Sequence, residues 1–149
     1  MNSQIQEWAN RYQNLLSLNH WEIEVTLHDA EEMVEDGGMC IGLCYVYASL
    51  LKAHIKLLDP GQVSEKIKNE LGSDLDLRST LLHEMIHIPL ELCGIDEEHM
   101  IQYEQAVIML ERAILKLEKD LEESSRYLDH PIMDDIIEII DDEVDENVD

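Results

Sequence analysis

"STLLHEMIHIPLELCG", residues Ser79–Gly94, decides how the chain is read. It contains His83-Glu84-Met85-Ile86-His87, two imidazoles four residues apart with a carboxylate directly after the first. On a helix, residues i and i+4 lie about one turn apart on one face, so both rings can reach a single Zn²⁺ ion. Glu84 is rotated by one residue and can hold a metal-activated water from the side, as general base and proton shuttle. The competing reading is a surface helix with solvent-facing His and Glu in an acidic chain. Leu81, Leu82, Met85, Ile86 and Ile88 argue against it, because they leave the helix little polar face. A helix this apolar is buried, and buried histidines need partners. The pattern therefore points to zinc, with core histidines satisfied by hydrogen bonds as the alternative.

The flanks of this stretch supply boundaries. Asp74 or Asp76 offers an N-cap. Pro89 lacks an amide hydrogen and should kink or end the helix just after His87. Gly94 is a natural C-terminal stop. A second helix, capped by Asp96 with Glu97 and Glu98 in its first turn, should run to about Ser125. Its apolar stripe is Met100, Tyr103, Val107, Leu110, Ile114, Leu117 and Leu121, and Glu104 and Glu111 fall on or beside it. A carboxylate on a buried stripe calls for a metal or a cation. Glu104 lies nearest the connection from His87 and is the expected third ligand. His99, Cys93 and Glu111 are the rivals. Cys93 stands where an HExxHxxGxxH protease places its third histidine, but Leu90 replaces the glycine of that motif.

Upstream, Ser3 and Gln6 form a capping-box pattern. Ile5, Trp8, Ala9, Tyr12, Leu15 and Leu16 then recur at helical spacing until Asn19. "HWEIEVTLHD" alternates Trp21, Ile23, Val25 and Leu27 with polar residues and reads as a half-buried strand. "AEEMVEDGG" reads as an acidic loop. Residues 39–47 and 52–58 read as two further strands, closed by a turn at Asp59-Pro60-Gly61. Cys40 and Cys44, four apart, should share a strand face as core residues, and Trp8 and Trp21 read as core or rim aromatics. A short amphipathic helix is expected over 62–72. The fold class is α+β: one domain over 1–128, with a twisted, mostly antiparallel three-stranded sheet against a metal-bearing helix pair. Residues 129–149 form an acidic tail around Ile132, Met133, Ile136, Ile137, Ile139 and Ile140.

Composition narrows the function classes. The chain has 34 acidic residues against 10 basic ones, a net charge of −24. That repels phosphate backbones and supplies no basic patch, so direct nucleic-acid binding is not expected. A basic protein partner is compatible with it. No apolar run approaches the roughly 20 residues of a membrane span. The polar N-terminus carries no secretory pattern, and three cysteines match no disulfide scaffold, so the chain reads as cytoplasmic.

Taken in order, the initial helix, "LNHWEIEVTLHD", "AHIKLLDP", "LLHEMIH" and "QYEQAVIMLERAI" resemble the zincin metallopeptidases. Within them the chain is similar to small phage- or prophage-type, gluzincin-like minimal zincins, distantly SprT-like. The resemblance implies a Zn²⁺ cofactor held by His83, His87 and Glu104, with Glu84 as catalytic base, in a bacterial or phage-infected host cytoplasm. It also implies a peptide or protein substrate added as one more strand to "CIGLCYVYA" or "KAHIKLL". Tyr103 and His99 are candidate donors to the reaction's oxyanion. The chain lacks the zinc ribbon and basic character of SprT-like proteins, which argues against DNA-associated proteolysis. The implied activity is a zinc metalloendopeptidase. The alternative is a zincin-fold metal-binding regulatory module without turnover, using its acidic surface or tail to bind a partner.

Overall fold

The strand with the most buried residues lies at the centre of the sheet. In the computed structural model, which describes residues 3–35, 37–65, 67, 69, 75–94 and 99–128, strand β5 (Lys52–Leu58) sits between β1 (Glu22–His28) and β4 (Gly42–Tyr47). Ala53, Ile55 and Leu57 share one buried face and Leu58 is buried at the strand's end, which suits a strand paired along both edges. Strands β1 and β4 alternate more openly and take the edges.

The sheet is mixed, which corrects the expectation of a mostly antiparallel one. β4 runs antiparallel to β5 with Cys44 opposite Ile55, but β1 runs parallel to β5 with Val25 opposite Ile55. The cause is the excursion between β1 and β4. It contains its own hairpin, β2 (Val34–Glu35) against β3 (Gly38–Met39), turned at Gly37 with φ +79°. The chain then enters at the far edge and turns back into the central position. "AEEMVEDGG" is therefore no plain acidic loop: Met33 is fully buried and packs with Leu43, Leu58 and Val63. Gly38–Met39 belongs to the hairpin, so β4 begins at Gly42 rather than residue 39. Cys40 precedes β4 and packs against this small cluster, while Cys44 lies on β4 itself. The alternation that would put both thiols on one face does not extend to Cys40.

Three helices are present among the described residues. Helix α1 (Ser3–Leu15) buries Ile5, Ala9 and Tyr12. Helix α2 (Leu77–Glu91) carries the HExxH pattern and is capped by Asp76, whose side chain accepts from the amides of Arg78 and Ser79. Thr80, Leu81, Leu82, Glu84, Met85, Ile86 and Ile88 of α2 are all buried, as expected of a helix that is apolar nearly all round. Arg78 donates from Nε to the Tyr12 hydroxyl at 2.9 Å and ties α2 to α1. Pro89 does not end α2, which continues to Glu91. Proline costs only one amide bond there, and the helix stops within the same turn, with Gly94 at φ +63°.

Helix α3 (Met100–Leu128) follows. The chain divides into two compact units, Met1–Arg112 and Ala113–Asp149, with the boundary inside α3. The sheet, α2 and the first turns of α3 belong to the first unit. Of the expected helix over 62–72, residues 65, 67 and 69 are in helical conformation and 66, 68 and 70–72 lie outside the described residues, as do the Asp96 cap and the acidic tail. No helix among the described residues is long and apolar enough to cross a membrane.

Candidate metal centre

Two helical rows face each other in the first unit. On α2, Ser79, His83 and His87 stand one turn apart. On α3, Tyr103, Glu104 and Glu111 point toward them, Glu111 two turns beyond Glu104. The contacts pair Ser79 with Glu111 and His87 with Tyr103, so the helices run antiparallel across the site.

His83, His87 and Glu104 form a group able to hold a metal ion, with one donor atom from each lying within 4.8 Å of the others. His83 Nε2 is 3.6 Å from one Glu104 oxygen, and His87 Nε2 is 3.7 Å from the other. These separations are too long for hydrogen bonds. They are close to the roughly 3.3 Å edge of a tetrahedron whose metal–ligand bonds are about 2.0–2.1 Å.

The other ring nitrogens show why this is not an ordinary pair of core histidines. His83 Nδ1 lies 3.1 Å from a Glu111 oxygen, and Ser79 donates to the other oxygen of that carboxylate. His87 Nδ1 lies 3.0 Å from the Tyr103 hydroxyl, which itself donates to the His87 carbonyl at 3.3 Å. Each imidazole thus sets its Nδ1 against an outer partner and turns its Nε2 inward, the way ring-orienting contacts hold metal-binding histidines. Burial pulls the His87 pKa below its usual value despite the opposing Glu104 charge, which keeps that ring neutral. The two Nε2 atoms and a carboxylate then converge in a group that could hold a cation.

Glu84 occupies the remaining side. It is only 7% exposed and has no hydrogen-bond partner among the described residues. Burial, then the charges of Glu104 and Glu35, push its pKa up to about 8. Its side chain lies against β4 at Gly42, where an added Cβ would overlap Glu84 Oε1 and stand 2.8 Å from Glu84 Cγ and from Thr80 Cγ2. Glycine at position 42 is thus what lets the carboxylate reach the cleft beside the metal group.

A scan against protein-family models and searches of curated proteins and of solved structures return no match. What the site can do follows from its own geometry.

That geometry separates the expected residues. His83, His87 and Glu104 come together, with Glu84 alongside. Glu104 is half-exposed at the cleft mouth rather than sunk in an apolar stripe. Glu111 sits behind His83 instead of beside Glu104. Cys93 is exposed and donates to the Pro89 carbonyl, and His99 is exposed; neither joins the group. Tyr103, expected to donate to an oxyanion, has its hydroxyl engaged with His87 on the side away from the converging donors. Burial, then the charges of Glu91 and Glu104, raise its pKa to about 12, so it stays protonated and able to donate. Sequence reasoning missed Gly42 and Ser79. Ser79 had a readable signal, standing one turn before His83; Gly42 had none, because its neighbour is remote in sequence.

The outer contacts carry a prediction. Removing the Nδ1 partner of either histidine, by Glu111→Ala or Tyr103→Phe, should weaken metal binding about 10- to 100-fold while all three donors remain. Competition with a chromophoric chelator measures this, and unchanged affinity in both variants would show that the outer contacts do not orient the rings.

Proposed function

We propose that the chain is a zinc-dependent metallopeptidase of the minimal zincin kind, in which Glu84 is the general base. One observation carries the reading: the Nε2 atoms of His83 and His87 and the Glu104 carboxylate converge beside the largely buried Glu84. Two imidazoles and one carboxylate suit zinc and leave a coordination position for reacting species. A zinc ion held there supplies Lewis-acid polarisation of a carbonyl and acidifies a water. Glu84 takes the proton of the attacking water and returns it to the leaving nitrogen. Its elevated pKa makes it a strong proton acceptor, and a nearby cation lowers that pKa toward the working range. Tyr103 and Glu111 fix the two rings, and Gly42 keeps the path of Glu84 clear.

A peptide substrate is favoured by β4. That strand borders the cleft and pairs with a neighbour, β5, on one side only among the described residues. Its open edge offers backbone donors and acceptors to an extended chain, which would lay successive peptide groups past the metal group.

The test is to load the purified protein with zinc, determine stoichiometry and follow cleavage of unstructured peptides. One zinc per chain, with cleavage abolished by chelation and restored by zinc, is the expected result. Zinc bound at His83, His87 and Glu104 without hydrolysis of any peptide would reduce the site to a binding module.

A further inference from the structure

The cleft has a charge pattern that hydrolysis alone does not require. Two depressions, of about 550 and 420 Å³, meet at Gly42, His83 and Glu84 and extend along β4 in opposite directions. The larger carries Glu35, from the β2–β3 hairpin, and Glu91, one helical turn beyond His87. The smaller is lined by Met39, Cys40, Ile41, Ser79 and Thr80, and its Glu111 is already engaged with His83.

Neither Glu35 nor Glu91 has a role at the metal group, and neither has an ion-pair partner among the described residues. Among the described residues, no lysine or arginine lines either depression. The ammonium of Lys56, on the adjoining strand, lies over the Tyr45 ring at 5.3 Å and is not part of the lining. Glu35, Glu84, Glu91, Glu104 and Glu111 thus place five carboxyl groups in the cleft, and Glu35, Glu91 and Glu111 lie outside the group that could hold a metal. The Glu84 side chain, on a residue only 7% exposed and with no hydrogen-bond partner among the described residues, lines both depressions where they meet.

We propose that the cleft selects cationic peptides, taking a lysine or arginine side chain into the depression lined by Glu35 and Glu91 and an apolar residue into the depression lined by Met39 and Ile41. The two side chains flank the scissile bond on opposite sides. This rests on the peptidase reading and names its substrate class. The net charge of −24 works in the same direction at longer range, since it steers basic chains toward the protein and repels acidic ones.

Matched peptides test it, carrying lysine, norleucine or glutamate at each position within three residues of the cleaved bond. With zinc-loaded protein, lysine on one flank should raise kcat/KM about tenfold over norleucine, acting through KM and fading with added salt. Glu35→Gln and Glu91→Gln should each bring the lysine-to-norleucine ratio down toward one, and Glu35→Lys should favour the glutamate peptide. Equal cleavage of all three peptides by the wild type overturns the proposal and leaves the peptidase reading standing. Cleavage of no peptide removes the peptidase reading instead. Selectivity is then decided by binding of fluorescent peptides to zinc-loaded Glu84→Gln protein, where equal affinities overturn it as well.

Discussion

Replacing Glu84 with glutamine is expected to cost the zinc-loaded protein roughly two to four orders of magnitude in peptide hydrolysis, with metal content unchanged. The two halves of that expectation come from different contacts. The metal group consists of His83, His87 and Glu104, none of which depends on Glu84 for its orientation. Glutamine keeps the shape of the side chain, so it fits the space that Gly42 leaves open. What it lacks is a basic oxygen to receive a proton. Peptide cleavage followed by mass spectrometry, on protein whose zinc stoichiometry has been measured, separates the two. Undiminished cleavage in a variant of full metal content would sink the role of Glu84. Loss of metal together with activity would show instead that Glu84 helps to hold the ion.

Much of the fold was legible because the chain states its periods clearly. The alternation of β1 and the all-round apolarity of α2 are local patterns, and each element forms where its pattern runs. Sheet order was not local. Nothing in "HWEIEVTLHD" says whether its neighbour runs parallel or antiparallel; that depends on where the β2–β3 hairpin sends the chain. One signal was available. "AHIKLL" supplies four buried apolar residues and so belongs at the centre, which leaves β1 and β4 as edges. The burial of Met33 was hidden for the opposite reason: Met33 and Val34, between Glu32 and Glu35, form no period that tells which of them is buried.

At the site, spacing within α2 and α3 made His83, Glu84, His87 and Glu104 visible, since a helix converts sequence separation into angle. Helical angle alone did not distinguish Glu104 from Glu111; the choice of Glu104 rested on its closeness to the connection from His87. The two lie seven residues apart and share a face, and only the offset of the antiparallel helices decides which meets Nε2 and which meets Nδ1. Tyr103 illustrates the same limit. Its position beside Glu104 suggested a donor to substrate, whereas the helix offset carries its hydroxyl to the rear of His87.

The second large effect is on stability, and its sign follows from the Glu84 proton. In the metal-free fold the carboxyl titrates near 8, well above its ordinary 4.5. Between those values the folded chain keeps a proton that the unfolded chain has released. This stabilising contribution is therefore complete below about 4.5 and is lost as pH rises through about 8. Glu84→Gln removes the titration. The metal-free wild type should accordingly melt progressively lower relative to metal-free Glu84→Gln as pH rises across that window, by on the order of several kcal/mol in all. That corresponds to roughly 10 °C or more in Tm. His87, with its lowered pKa, acts oppositely, costing stability as pH falls through its ordinary 6.5, but it is present in both proteins and drops out of the comparison. Zinc should restore the wild type most strongly at high pH, because its ligands must be deprotonated and its charge relieves Glu84. At about a thousandfold excess over Kd it adds roughly 4 kcal/mol, an increment that His83→Ala and His87→Ala should each abolish. Melting curves recorded across pH, with and without zinc, check every step. Parallel metal-free curves for wild type and Glu84→Gln would mean that Glu84 is solvated and free of its neighbours' charges, and zinc-insensitive melting of the wild type would remove the metal group itself.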